Sequence, residues 1–238
     1  MLVNRVLLIL WPDRCAGCGA FVTEGASFCP ACDLTLVPLG PCCPGCAMPL
    51  GHDVEAPAQF CDGCARRPFP FFRAQAALAY GGAVTRALLR FKHGGHRHLA
   101  KPLARYLETP LASLWGEADV VCPVPLHRDR LKTRGFNQAF ELIRAATRAF
   151  PGATRKKILC DALSRAIDTP TLGHGCPAAR ARVVAGAFLV PRPALVLDKH
   201  VLVVDDVMTS GATLAECART LRAAGADRVS VVALARAL

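Results

Sequence analysis

The sequence predicts an α/β protein with a mainly parallel sheet and flanking helices, preceded by a small cysteine-rich module. In the second part of the chain, apolar runs of strand length alternate with segments of helical periodicity, which is typical of a parallel sheet. The first part has nine of the chain's 13 cysteines before residue 65, a density that favours folding around metal ions. We place the boundary at residue 72, which gives a module of residues 1–72 and a domain of residues 73–238.

The pattern of apolar residues in the domain predicts the order of its elements. Helical spacing predicts helices at 83–92, 98–107, 137–149 and 212–224, the last of them ended by Gly225. Strand-like runs predict strands at 119–125, 187–190, 200–205 and 229–234, with a weak one at 158–159. The segment 163–182 is rich in turn formers and long for a loop, so it is expected to be a lid or a disordered insertion.

Charge is distributed unevenly along the chain. The net charge is +11, yet residues 1–72 carry 4 Lys+Arg and 6 Asp+Glu, so the domain carries a balance of +13. A basic surface of this kind favours polyanionic ligands or partners, single-stranded DNA among them.

The apolar stretch at residues 1–11 is expected to form a short amphipathic helix over the module. A signal peptide is the weaker interpretation, because no convincing cleavage site follows. No later run is long enough to cross a membrane. Paired Cys-x-x-Cys motifs favour metal binding in a reducing cytosol over disulfides, so we expect a cytoplasmic protein with no transmembrane segment.

Four Cys-x-x-Cys pairs divide the module into two repeats of knuckle, short hairpin and knuckle. This spacing lets two thiolates reach one tetrahedral ion, so the four pairs can hold two closed zinc sites that are structural rather than catalytic. The simplest pairing is sequential, with one ion held by Cys15, Cys18, Cys29 and Cys32 and the other by Cys43, Cys46, Cys61 and Cys64. A cross-braced pairing stays open, and Cys42 could replace Cys43 as a ligand.

Two adjacent carboxylates, Asp205 and Asp206, close the apolar run 201–204, and a small hydroxyl-rich loop follows. Such carboxylates would be costly as plain core residues, and they lie where an open α/β sheet binds its ligands. The loop leads into a predicted helix, so its hydroxyls and N–H groups suit a phosphate; its residues are Thr209, Ser210, Gly211, Ala212 and Thr213. An acid pair beside a phosphate loop fits a ribose 5-phosphate. The alternative is an ordinary buried strand with an acidic edge.

Two basic segments accompany this candidate site. The segment 124–138 follows a strand and offers Arg128, Arg130 and Arg134 for binding diphosphate; the alternative is a solvated basic loop. The segment 92–98 has three histidines without a neighbouring carboxylate or thiol. We interpret it as a basic turn near a phosphate or nucleic acid and not as a metal site.

The stretch 201–213 resembles the phosphoribosyl-diphosphate (PRPP) signature of type I phosphoribosyltransferases. That resemblance implies that Asp205 and Asp206 hold the ribose 2- and 3-hydroxyls, directly or through a hydrated Mg²⁺, and that residues 209–213 hold the 5-phosphate. With the tandem knuckles and the motifs at 91–94, 123–127, 134–138 and 186–188, the whole chain is similar to the ComF competence-protein family. This family joins a double zinc ribbon to a type I phosphoribosyltransferase-like domain.

The resemblance implies a role in DNA uptake during natural transformation, with a membrane-associated helicase and recombination proteins as partners, or a role in nucleotide salvage. Two functions stay open. One is an enzyme that uses Mg²⁺–PRPP to transfer a phosphoribosyl group to an unidentified acceptor. The other is a non-catalytic nucleic-acid-binding accessory protein that keeps only the PRPP site. The 6-oxopurine salvage branch begins its phosphate loop with Asp where this chain has Thr209, which argues against hypoxanthine or guanine as acceptor.

Overall fold

The computed structural model describes residues 13–50, 59–93, 95–149, 157–169 and 177–238. The predicted helix at 1–11 and the centre of the predicted lid, 170–176, lie outside these residues. In the described ranges the strands are β1 (Arg73–Ala79), β2 (Val120–Pro123), β3 (Ser164–Arg165), β4 (Phe188–Leu189), β5 (His200–Met208) and β6 (Arg228–Arg236). The helices are α1 (Pro30–Asp33), α2 (Asp62–Arg66), α3 (Gly82–His93), α4 (Ala100–Trp115), α5 (Arg128–Arg134), α6 (Gln138–Ala146), α7 (Pro177–Val184) and α8 (Ala212–Ala223).

Four strands form one parallel sheet in the order β1-β6-β5-β2. This confirms the predicted mainly parallel sheet. The central strands β5 and β6 are buried along almost their whole length, as expected for parallel strands covered by helices on both faces. Strands β3 and β4 form a separate antiparallel pair, so only two residues of the predicted strand at 187–190 are extended.

Several elements differ from the sequence-based expectation. Strand β1 lies outside the predicted strands, because only Ala74 and Leu78 in it are buried and its apolar pattern is weak. The helix predicted at 98–107 is a 3₁₀ turn at Arg97–Leu99 followed by α4, which continues to residue 115. The weak strand at 158–159 is a single parallel bridge between Ile158 and Val121.

Each face of the sheet has its own hydrophobic core, and each half of the cysteine-rich module extends one of them. On one face, Leu202 and Val204 pack with apolar residues of α3, α4 and α6, and this core includes cysteines of the first predicted zinc site. On the other face, Val201 and Val203 pack with α8 and with cysteines of the second predicted site. This alternation along β5 follows the two-residue period of a strand.

The segment between the two repeats covers the edge of β1. The backbone N–H of Leu39 donates to the carbonyl of Ala77 (3.0 Å), and the N–H of Ala79 donates to the carbonyl of Val37 (2.8 Å). An uncovered edge strand offers unpaired backbone groups to other chains, so this contact protects the sheet and fixes the module on the domain. Across the described ranges, no helix combines the length and apolar character that crossing a bilayer requires.

Candidate functional site

The eight predicted cysteine ligands lie in two groups of four, and within each group the sulfur atoms are all within 4.8 Å of one another. The first cluster is Cys15, Cys18, Cys29 and Cys32, and the second cluster is Cys43, Cys46, Cys61 and Cys64. Four thiol sulfurs this close are the donor set of a closed structural zinc site, so both clusters fit a structural zinc ion. The grouping is the sequential one. The sulfur of Cys42 instead donates to the carbonyl of Gly40 (3.1 Å).

Local backbone structure brings each set of sulfurs together. The first knuckle of each repeat lies in a hairpin, closed by the bridges Arg14–Phe21 and Cys42–Pro49. The second knuckle begins a short helix, with Cys29 or Cys61 as the N-cap residue. The N–H of Cys61 donates to the sulfur of Cys43 (3.2 Å), which holds the two knuckles of the second repeat together.

The two carboxylates of the predicted site lie inside β5 rather than at its end, because the strand continues to Met208. A carboxylate oxygen of Asp206 lies 2.8 Å from the Nζ of Lys92, and only 11% of the Asp206 side chain is exposed. A carboxylate oxygen of Asp205 accepts the backbone N–H of Asp206 (2.8 Å). The acid pair is therefore closely associated with one cation from the end of α3.

Burial and mutual repulsion shift the ionisation of these groups. Burial, and next the charge of Asp206, raise the pKa of Asp205 to about 8, while Lys92 acts in the opposite direction. Burial alone would lower the pKa of Lys92, but the charge and hydrogen bond of Asp206, together with the charge of Asp205, raise that pKa above its ordinary value. Ionisable groups with shifted pKa values that lie in close contact are typical of functional sites.

The predicted phosphate loop connects β5 to α8. Its Gly211 has φ +76° and is the N-cap residue of that helix, a backbone conformation that glycine adopts without strain. A Cβ at Gly211 would lie 2.8 Å from the ring of Phe69, so this aromatic residue from the end of the module packs against the loop. Thr209 is exposed, and Ser210 and Thr213 are partly exposed, which leaves three hydroxyl groups accessible to a ligand.

Lys92 also lines a cavity of about 380 Å³. Its described lining residues are Lys92, His93, Gly95, Asp129, Arg130, Thr133, Arg134 and Asp168. Two of the three predicted diphosphate-binding arginines thus lie together with Lys92. The third, Arg128, has a side chain that is 82% exposed and lies 3.8 Å from the carboxylate of Asp129. In the part of the chain that the structure describes, the cavity wall does not include Asp205, Asp206 or residues 209–213; Lys92 connects it to the acid pair.

The segment 124–138, in which no helix is predicted before residue 137, contains the helix α5. His127 is its N-cap and accepts the N–H of Asp129 (3.4 Å), and Gly135 ends it with φ +79°. The helix places Arg130 and Arg134 on one side, at a spacing of four residues. Arg134 donates to the side-chain oxygen of Gln138 (2.7 Å), so Gln138 orients a predicted ligand-binding guanidinium.

The ends of the predicted lid contact this cavity. Arg130 lies 2.8 Å from the carboxylate of Asp168 and also donates to the carbonyl of Thr169. Arg165 donates to the hydroxyl of Thr169, and its guanidinium lies 5.4 Å from the ring centre of Phe188. Arg165 was not among the sequence-based candidates, since a lone arginine before a turn-rich segment carries no distinctive pattern. The segment 163–182 is also not a single loop, because it includes β3 and α7.

These features define a class: a phosphoribosyltransferase-like α/β domain joined to a double zinc ribbon. Comparison with known families agrees, since a double zinc ribbon domain matches residues 6–65 and a phosphoribosyl transferase domain matches residues 167–238. The DNA utilization protein YhgH of Salmonella typhi is 30% identical over 201 residues, which cover 82% of this chain and 84% of that protein. The chain therefore belongs to the ComF family.

Two further relatives have names linked to competence. Competence protein ComFC of Streptococcus pneumoniae R6 is 27% identical over 90% of this chain and 89% of its own length. Competence protein F of Haemophilus influenzae is 27% identical over 79% of this chain and 82% of its own length. The solved structure of the allosteric regulatory enzyme of purine biosynthesis is 19% identical with a TM-score of 0.37, over 61% of this chain and 29% of that one, a likeness too low to carry an argument.

Proposed function

We propose that this protein binds PRPP, or a related phosphorylated ribose, and uses that ligand in DNA uptake. The observation that carries the proposal is the position of Lys92. This residue contacts the acid pair through Asp206 and also lines the cavity that Arg130 and Arg134 line. One cation thus joins a diol-binding pair to an anion-binding cavity. The relatives named for competence and DNA utilization support the DNA-uptake context.

Each part of PRPP has a chemically matched partner in this arrangement. The carboxylates of Asp205 and Asp206 are acceptors for the ribose hydroxyls. The loop 209–213 supplies hydroxyls and the N–H groups at the start of α8 for the 5-phosphate. The guanidinium groups of Arg130 and Arg134 suit a diphosphate, because their planar donors match phosphate oxygens in pairs.

The acid pair also offers the oxygen ligands that Mg²⁺ takes in proteins, so the residues fit a metal that arrives with PRPP. Bound Mg²⁺ would supply neutralisation of the charge on a departing diphosphate. The protein's own cations would contribute in the same direction from the cavity side. No described residue is positioned to identify an acceptor, so the proposal covers ligand binding and leaves turnover to experiment.

Calorimetry on the full chain tests this proposal. We expect ribose 5-phosphate and Mg²⁺–PRPP to bind the wild type, and a variant with Asp205→Asn and Asp206→Asn to lose both ligands. Arg134→Gln should weaken PRPP by about 10- to 100-fold, the usual loss for a charged hydrogen bond, while ribose 5-phosphate binds as before.

Arg128→Gln is the matched control, since it removes an arginine of the same helix whose side chain is exposed. It should bind both ligands like the wild type. The proposal would be refuted if neither ligand gives a heat of binding with the wild type, or if the double aspartate variant binds them as tightly as the wild type does. Diphosphate release across a panel of nucleobases would then separate an enzyme from a binding protein.

A second candidate function, binding of single-stranded DNA, is favoured by a larger cavity of about 680 Å³ between the first repeat and α4. Its basic lining residues are Arg14, His98, Lys101 and Arg105. The segment 92–101 contributes to both cavities, so basic side chains continue from one to the other. The phosphates of single-stranded DNA would suit such a basic surface. This binding should weaken steeply with added salt; absent or salt-insensitive binding would exclude it.

The proposal extends to the cellular setting. We propose that the protein acts in the cytoplasm with a DNA-uptake helicase and recombination proteins. The cytoplasmic setting is supported by the twelve described cysteines, none of which forms a disulfide. Zinc-binding cysteines of proteins in a reducing compartment are likewise free of disulfides. Transformation frequency in cells carrying the double aspartate variant would test the link between the ligand site and DNA uptake; wild-type frequency would break it.

A further inference from the structure

Arg236, the last residue of β6, joins the second cluster to the phosphate loop. Its side chain is almost fully buried, with 7% of the residue exposed. The Nε donates to the carbonyl of Cys46 (2.9 Å), a residue of the second cluster. From the same guanidinium, one terminal nitrogen donates to the carbonyls of Met208 (3.1 Å) and Thr209. A single side chain thus contacts a predicted zinc ligand and the first residue of the loop.

The second repeat also contacts the loop independently of Arg236. Phe69, which follows the helix carrying Cys64, packs against Gly211 and stacks on Phe71 with ring centres 4.9 Å apart. The carbonyl of Pro44, inside the knuckle, accepts the N–H of Ala74 in β1 (2.7 Å). The back of the loop is therefore built in part from the second repeat.

The charge at the second cluster explains why a buried arginine suits this place. A zinc ion bound by four thiolates is a doubly negative centre, and a buried guanidinium is costly unless an anion lies near it. The Nε of Arg236 lies at this centre through the carbonyl of Cys46, while one terminal nitrogen holds the backbone carbonyls of residues 208–209. Loss of the anionic centre would leave the guanidinium without its counter-charge and would loosen the backbone it holds.

We propose that Arg236 couples zinc occupancy of the second cluster to the conformation of the phosphate loop. The inference rests on the proposed function of that loop, and it makes zinc a control on phosphorylated-ribose binding as well as a folding element. The first cluster has no such connection among the described contacts. Two arginines of α3 contact that cluster: Arg86 donates to the sulfur of Cys32 (3.4 Å) and Arg90 to the carbonyl of Cys15 (3.1 Å), and no described hydrogen bond joins either to the loop.

The first experiment uses the unmodified full chain. Coupling is reciprocal, so a ligand that needs the ordered loop must stabilise zinc in the second cluster. We expect saturating ribose 5-phosphate to slow zinc loss to a chelator, with alkylation of Cys61 and Cys64 slowed at least about tenfold and Cys29 and Cys32 unchanged. In a chain that calorimetry shows to bind ribose 5-phosphate, equal slowing of both clusters, or of neither, would overturn the coupling.

The second experiment needs no ligand, so it separates this inference from the proposed function. Hydrogen exchange of residues 208–213 should accelerate at least about tenfold in Arg236→Gln while zinc stays bound. Arg236→Lys, which keeps the positive charge but loses the planar set of guanidinium donors, should give a smaller acceleration of exchange. Arg86→Gln is the matched control and should show wild-type exchange.

Wild-type exchange of the loop in Arg236→Gln would overturn the proposal. Where Arg236→Gln does not fold, Arg236→Lys serves in its place with the same expected direction. A wild-type chain that fails to bind ribose 5-phosphate, yet shows the exchange change, would refute the proposed function and keep the coupling.

Discussion

Substituting Lys92 with Met would remove the only cation that the described contacts place on Asp206. The pair is 2.8 Å apart, with 25% of the lysine and 11% of the aspartate side chain exposed. Removing one member of a buried pair costs about 3–5 kcal/mol. Because Lys92 is a quarter exposed, we expect about 2–3 kcal/mol. In a chain of this length that corresponds to a decrease in Tm of roughly 5–10 °C.

A double-mutant cycle isolates the pair from other effects of the substitutions. Unfolding free energies of Lys92→Met, Asp206→Asn and the double variant should give a coupling of about 2 kcal/mol. A second cycle on Arg73 and Glu117 is the control, since this pair also spans distant elements at 3.1 Å but has exposed side chains. Its coupling should stay below about 1 kcal/mol.

The reasoning fails if the coupling of Lys92 and Asp206 is no larger than that of the exposed pair. It also fails if Lys92→Met leaves unfolding unchanged, because a buried carboxylate beside Asp205 cannot lose its counter-ion without cost. If adding Asp206→Asn restores the stability that Lys92→Met loses, the result would support the interpretation that the charge of Asp206 is held in place for the proposed ligand.

Three further predictions follow from the site. Asp205 has a folded pKa of about 8 against an unfolded value of about 3.9, so its protonation stabilises the fold at low pH. That stability is lost as pH rises from about 4 to about 8, by at most about 1.4 kcal/mol per pH unit; urea unfolding of Asp205→Asn should show a flatter pH dependence. Removing zinc should lower the Tm of the whole chain in one transition by circular dichroism, because both cores contain cluster cysteines; separate module and domain transitions would contradict this. Gly211→Ala, with its positive φ and a Cβ against Phe69, should weaken ribose 5-phosphate at least about tenfold by calorimetry, whereas Gly116→Ala, which meets open space, should bind normally.

Local patterns in the sequence predict the order of the elements that carry the candidate ligand site, although β5 continues past the acid pair to Met208. The apolar run at 201–204, the acid pair and the loop before α8 are contiguous, so their order alone predicts a strand, a turn and a helix start. Cys-x-x-Cys spacing likewise predicts which sulfurs can share an ion. The prediction was weakest where the apolar signal is thin, as in β1, whose burial depends on the neighbouring β6 and the segment at 37–39.

Contacts between distant residues could not be predicted in this way. The ion pair of Lys92 with Asp206 depends on where α3 ends relative to β5, and no local pattern encodes that distance. Arg236 and Cys46 are 190 residues apart, and an arginine at the end of a strand gives no sign of its partner. The helix α5 was also missed, because its apolar face is minimal and none of its residues is buried.

The sharing of two cores between module and domain has a consequence for biosynthesis. Both repeats leave the ribosome before β5 and β6, which complete both cores. Until those strands arrive, the apolar side of each knuckle has no partner to cover it. We expect zinc binding to the nascent repeats to keep them compact until β5 and β6 are synthesised. Cells short of zinc should therefore accumulate aggregated chains rather than a functional domain that lacks its zinc ribbons.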